Sequence, residues 1–92
     1  FISGPMTGLP DFNRPAFHEA AKKLQEYGHS VWNPAHAPDG LTHEAYMAVC
    51  KAMIDQSDVI VQLPGWEQSK GAQIEYEYAT RTNKEIWQEV ML

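Results

Sequence analysis

The run Asp58-Val59-Ile60-Val61-Gln62-Leu63, closed by Pro64-Gly65, constrains the fold more than any other stretch of the chain. It is nearly continuous in apolar, β-branched residues and lacks the polar alternation of a strand with one wet face. A strand of this kind is covered on both sides, as in parallel sheets flanked by helices.

Helical spacing surrounds it. Phe17, Ala20, Ala21, Leu24 and Tyr27 recur at helical intervals, with Asp11 or Asn13 as cap, Pro15 in the first turn and Gly28 as stop. Tyr46, Met47, Cys50, Met53 and Ile54 mark the buried face of a second helix capped by Thr42, and a third runs from a cap at Ser69 through Thr82. Shorter strands are expected at Phe1 to Gly4, Ser30 to Asn33 and Glu85 to Trp87, with a loop from Pro34 to Gly40. Strand and helix therefore alternate with short loops, which predicts an α/β three-layer sandwich around a parallel sheet. The expected strand order is flavodoxin-like, 2-1-3-4, with Ile2, Val31, Val59 and Val61 buried.

Ninety-two residues make one domain, 1–92, with a single modest core. The composition, 43% hydrophobic and 21% charged, argues against disorder, and no apolar run nears the ~20 residues of a bilayer span. Twelve acidic against seven basic residues give −5, which disfavours a nucleic-acid polymer or an anionic membrane as partner. A free nucleotide needs only a small local site and stays open. One cysteine forms no internal disulfide and no secretory leader pattern is visible, so the cytoplasm is the expected compartment. The chain opens at Phe1 within a strand pattern, so a few preceding residues are expected.

Ligands of open parallel sheets bind beyond the carboxyl ends of the strands, where the strand order reverses. Two loops are expected there. One is Gly4-Pro5-Met6-Thr7-Gly8, continuing to Asp11 and Asn13; the other is Pro64-Gly65-Trp66-Glu67-Gln68-Ser69-Lys70-Gly71. The second opens a helix, whose free N–H groups and dipole suit a phosphate. The glycines match neither the dinucleotide fingerprint nor the P-loop. In that helix Ala72, Glu75, Tyr78 and Ala79 share one face. Its small residues imply close packing on the sheet, so Glu75 points inward or into a pocket edge, as an ion-paired residue or a working one. Glu77, about 200° around the helix, is solvated.

Other residues read plainly. His18, His29, His36 and His43 lack metal spacing, and His43-Glu44 begins no zinc motif because Met47 stands where the second histidine would be. No metal or cofactor is expected. Cys50, between Met47 and Met53, reads as a core thiol. Trp66 either stacks on a base or packs against a neighbouring subunit. Lys70 is a solvated first-turn residue or a phosphate contact.

Phe1-Ile2-Ser3-Gly4-Pro5-Met6-Thr7-Gly8, Asn33-Pro34, and Leu63-Pro64-Gly65-Trp66-Glu67 with Ser69, Gly71, Ala72 and Glu75 together resemble a phage and prophage family of small proteins. That family is similar to nucleoside 2-deoxyribosyltransferases and deoxynucleoside 5′-monophosphate N-glycosidases. The resemblance runs from Phe1 to Trp87 and implies a flavodoxin-like fold. It implies that Glu75 attacks the anomeric carbon of a deoxyribose, that Ser69 helps hold a 5′-phosphate, and that the Gly4 to Gly8 turn wraps the sugar phosphate or base. It also implies a homodimer or larger assembly whose neighbour completes the site. The substrate-binding set becomes Gly4, Pro5, Met6, Thr7, Gly8, Asp11, Asn13, Gly65, Trp66, Glu67, Ser69 and Gly71.

The chain departs from those enzymes twice. Cys50 stands where they carry an Asp that serves the base, and Phe1 replaces a Tyr. Asp11 and Glu67 are then the candidate acids. The leading expectation is cleavage or exchange of an N-glycosidic bond in a nucleoside or nucleotide. The alternative is a nucleotide-binding or phage regulatory module without turnover on the same scaffold.

Overall fold

The computed structural model describes residues 1–92. Three strands, β1 (Ile2–Ser3), β2 (Val59–Gln62) and β3 (Glu85–Gln88), alternate with three helices, α1 (Arg14–Glu26), α2 (His43–Asp55) and α3 (Lys70–Arg81). All strands are parallel, in the order β1-β2-β3. The β-branched run forms the central strand, β2, paired through Ile2↔Val61 and Ser3↔Gln62 on one side and Ile60↔Ile86 and Gln62↔Gln88 on the other.

The expected fourth strand does not form, and the 2-1-3-4 order is corrected to three strands. Ser30 to Asn33 is squeezed between the Gly28 turn and Pro34, which has no N–H to give a ladder. One bond, from the Ile2 amide to the Trp32 carbonyl at 3.3 Å, is all that ties this segment to the free side of β1. Asn33 turns its side chain to accept the Ala35 amide at 3.0 Å, which starts a short helical turn at Pro34–His36 instead.

Side chains alternate across a strand, so the sheet builds two cores. Ile2, Val61 and Leu63 pack with Phe17, Ala20, Ala21 and Leu24 of α1. Phe1 and Ile60 pack with Cys50 and Ile54 of α2 and Ala79 of α3. Ile2 and Val61 are buried as expected; Val31 and Val59, at the rim of the α1 layer, are only half-buried. Tyr27 is 67% exposed, because α1 ends at Glu26 and leaves it beyond the packed stripe.

The caps divide by mechanism. Thr42 and Ser69 accept the amides of Ala45 and Ala72, at 3.1 and 3.2 Å, as serine and threonine do at N-caps. Neither Asp11 nor Asn13 caps α1 with its side chain. Both, with Phe12, lie in the left-handed region, at φ 50°, 60° and 51°. The Asn13 amide instead donates to the Pro5 carbonyl at 3.0 Å, which ties the start of α1 to the loop after β1.

Candidate functional site

The loops after β1 and β2 lie against one another at the carboxyl end of the sheet. Gly4 makes this possible: a Cβ there would sit 2.8 Å from Cβ of Leu63, closer than side chains approach. Gly65, at φ +89°, takes a conformation that glycine adopts without strain, and a Cβ there would meet Pro5 at 3.3 Å.

Beneath these loops lies Glu75. Its helix turns Ala72 and Ala79, which are 2% and 0% exposed, toward the protein interior, so the carboxylate on the same face is carried inward at 6% exposure. The Ser3 hydroxyl donates to Glu75 Oε1 at 2.6 Å. Burial away from water pushes the Glu75 pKa up to about 7, against the opposing pull of hydrogen bonds from Ser3 and the Cys50 thiol. Cys50 is itself pushed up to about 12, first by burial and then by the Glu75 charge, so it stays a neutral thiol.

A cleft of about 70 Å³ lies over Glu75, walled by Gly4, Met6, Thr7, His43, Tyr46 and Ser69 among others. It adjoins a recess of about 270 Å³ lined by Phe12, Arg14, Pro34, Asp39 and Leu41, and a trough of about 710 Å³ lined by Pro5, Leu9, Gly65, Lys70 and Gly71. Met6, Thr7 and His43 border all three. On its other side Glu75 borders a groove between α2 and α3, shared with Met47, Ile74 and Tyr78. The Tyr46 hydroxyl donates to Met6 Sδ at 2.9 Å; burial, the largest cause, raises its pKa far above the ordinary phenol value.

The expected site residues divide. Gly4, Met6, Thr7, Ser69, Gly71 and Glu75 meet around the cleft, and Pro5, Gly65 and Lys70 join them along the trough. The others lie elsewhere. Gly8 supports a turn at φ +83° in open space. Asp11 is ion-paired with Arg14 at 3.1 Å, outside the recesses, and Asn13 is the loop tie described above. Trp66 packs on Tyr76 within its own chain, ring centroids 4.9 Å apart, and Glu67 is exposed with its carbonyl bonded to Gln73. Asp11 and Glu67 are therefore not placed to serve as the acid beside Glu75.

Sequence reasoning missed Ser3, His43, Tyr46 and Arg14. Ser3 carried a faint signal, as a hydroxyl amid an otherwise apolar strand end; the others depend on how α1 and α2 fold over the loops. No group of three His, Cys, Asp or Glu comes together that could hold a metal ion.

No curated protein and no solved structure gives a significant match to the chain. A family model described as a domain of unknown function (DUF4406) matches residues 1–88, which takes in β1 to β3, α1 to α3 and every residue of the cleft. The chain belongs to that family.

Proposed function

We propose that the protein breaks or exchanges the N-glycosidic bond of a nucleoside or nucleotide, with Glu75 as the nucleophile at the sugar's anomeric carbon. One observation carries the reading. A buried carboxylate with a raised pKa, hydrogen-bonded by Ser3, borders a cleft at the carboxyl end of a parallel sheet. Functional carboxylates are perturbed in this way. Attack by Glu75 gives a glycosyl ester as the base departs, and water or a second base then displaces the carboxylate. The α3 N-terminus at Ser69, bordering both cleft and trough, is the seat for a 5′-phosphate in this reading.

The same reading carries a flavodoxin-like arrangement of layers and a homodimer or larger assembly. Trp32 and Tyr76 support the latter, at 48% and 38% exposure. Sedimentation at tens of micromolar tests it, and a monomer would count against it.

A binding module without turnover is the second reading. It is favoured by Cys50, a buried neutral thiol at the position where the enzymes that the chain resembles carry an acid. Incubation with a panel of nucleosides and 5′-monophosphates separates the two. Free-base release supports the enzyme, whereas a ligand-induced rise in melting temperature without release supports the module.

A further inference from the structure

An N-glycosidic bond breaks with its electron pair passing to the base nitrogen, so a proton must reach the base. Besides Glu75, four side chains bring an exchangeable proton to the cleft: Thr7, His43, Tyr46 and Ser69. The hydroxyls of Thr7 and Ser69 are far too weak as acids, and Ser69 already caps α3. The Tyr46 proton is directed to Met6 Sδ. Cys50 is fully buried and does not border the cleft. Asp39 borders only the neighbouring recess and is held by Arg14.

We infer that His43 is the general acid that protonates the departing base. It is the first residue of α2, its side chain is exposed, and it makes no hydrogen bond or ion pair within the chain. Side chains in a helix lean toward the amino end, which at this position is off the helix and over the cleft. Its imidazole carries a proton on a ring nitrogen and has a second ring nitrogen, so the same side chain can give up a proton and take one back. His43 and Glu75 line the same cleft.

The step balances. A Glu75 oxygen bonds to the anomeric carbon as the carbon–nitrogen bond breaks, and the imidazolium N–H passes to the base. Water then attacks the same carbon, returns its proton to His43 and releases the Glu75 carboxylate. This rests on Glu75 as nucleophile, and the test separates the two claims.

Wild type and His43→Gln are assayed on a nucleotide of the panel that wild type cleaves. Each is also assayed on the analogue whose base leaves without a proton, N7-methylated for a purine or 5-fluorinated for uracil. The exposed position keeps the variant folded, and thermal unfolding verifies it. The expected result is a loss of kcat of at least ~100-fold on the ordinary base, shrinking to a few-fold on the activated one. Equal losses on both, or none on either, overturn the role of His43 while leaving Glu75 standing. Cleavage of nothing by wild type, activated analogues included, overturns both.

Discussion

Ser3 and Glu75 stand 72 residues apart in the chain and 2.6 Å apart in the fold, the hydroxyl of the first donating to the carboxylate of the second. The contact joins the end of β1 to the middle of α3. It also supplies a hydrogen bond that favours the ionised form of a carboxylate whose burial favours the neutral one.

Ser3→Ala removes that bond. The midpoint of Glu75 is expected to climb above about 7, by roughly one pH unit, the scale of a lost hydrogen bond to a charged group. The side chains of Cys50, Tyr46 and His43 around it are unchanged. Carbon-13 chemical shifts of the Glu75 carboxyl report the midpoint whether or not the protein turns over. An unmoved or lowered midpoint contradicts the role given to Ser3.

Glu75→Gln should abolish turnover, by at least ~100-fold, with little change in nucleotide affinity. It should also stabilise the fold in alkaline solution. Below pH 4.5 the folded and unfolded chains both hold the Glu75 proton; between 4.5 and about 7 the unfolded carboxyl ionises first, so stability falls as pH rises and levels off above. The loss is on the order of 3 kcal/mol. Urea unfolding of both proteins at pH 4 and pH 8 measures it. The variant's advantage must be larger at pH 8, and an advantage independent of pH refutes the raised pKa.

At Ser69 the cap and the phosphate seat can be told apart. Ser69→Ala costs about 1 kcal/mol of stability, whereas Ser69→Gly costs only a few tenths, since glycine is a tolerable N-cap. Both remove a hydroxyl from the proposed phosphate seat. Both should weaken 5′-monophosphate binding more than nucleoside binding in calorimetric titrations. Equal weakening for the two ligand classes would remove the phosphate from this helix end.

Gly4→Ala places a methyl 2.8 Å from Leu63 Cβ. The two loops over Glu75 must part, with a cost of about 1–3 kcal/mol for overpacking. Chemical denaturation checks the magnitude. An unchanged midpoint would mean that the loops are not in contact.

Much of this was legible because it is local. The β-branched run became β2, threonine and serine marked two helix starts, and small residues flanking Glu75 announced a side chain turned inward. What stayed hidden depends on distance or on neighbours. Ser3 finds its partner only after two crossovers bring α3 onto β1. His43 reaches the cleft only because the loop from Pro34 to Leu41 delivers the start of α2 there. The Ser30 to Asn33 segment has strand-like residues, but Pro34 and the Asn33 side chain divert its backbone. Trp66 could not declare its partner, because Tyr76 faces it from a helix that the loop itself begins.

The paired registers at the top of the sheet have one more consequence. Ser3, Gln62 and Gln88 align on a single face, and the buried Gln62 amide nitrogen has no hydrogen-bond partner, although its oxygen accepts from Gln88. One row below, Phe1, Ile60 and Ile86 fill the same face with hydrocarbon. The sheet therefore has a firm root and a soft crown. An unpaired amide forfeits about 1–3 kcal/mol, and the place where it is forfeited is the rim that carries the cleft. Amides there should open to exchange with solvent by smaller excursions than those at the root, leaving the two loops free to adjust around a guest while the lower strands hold their register.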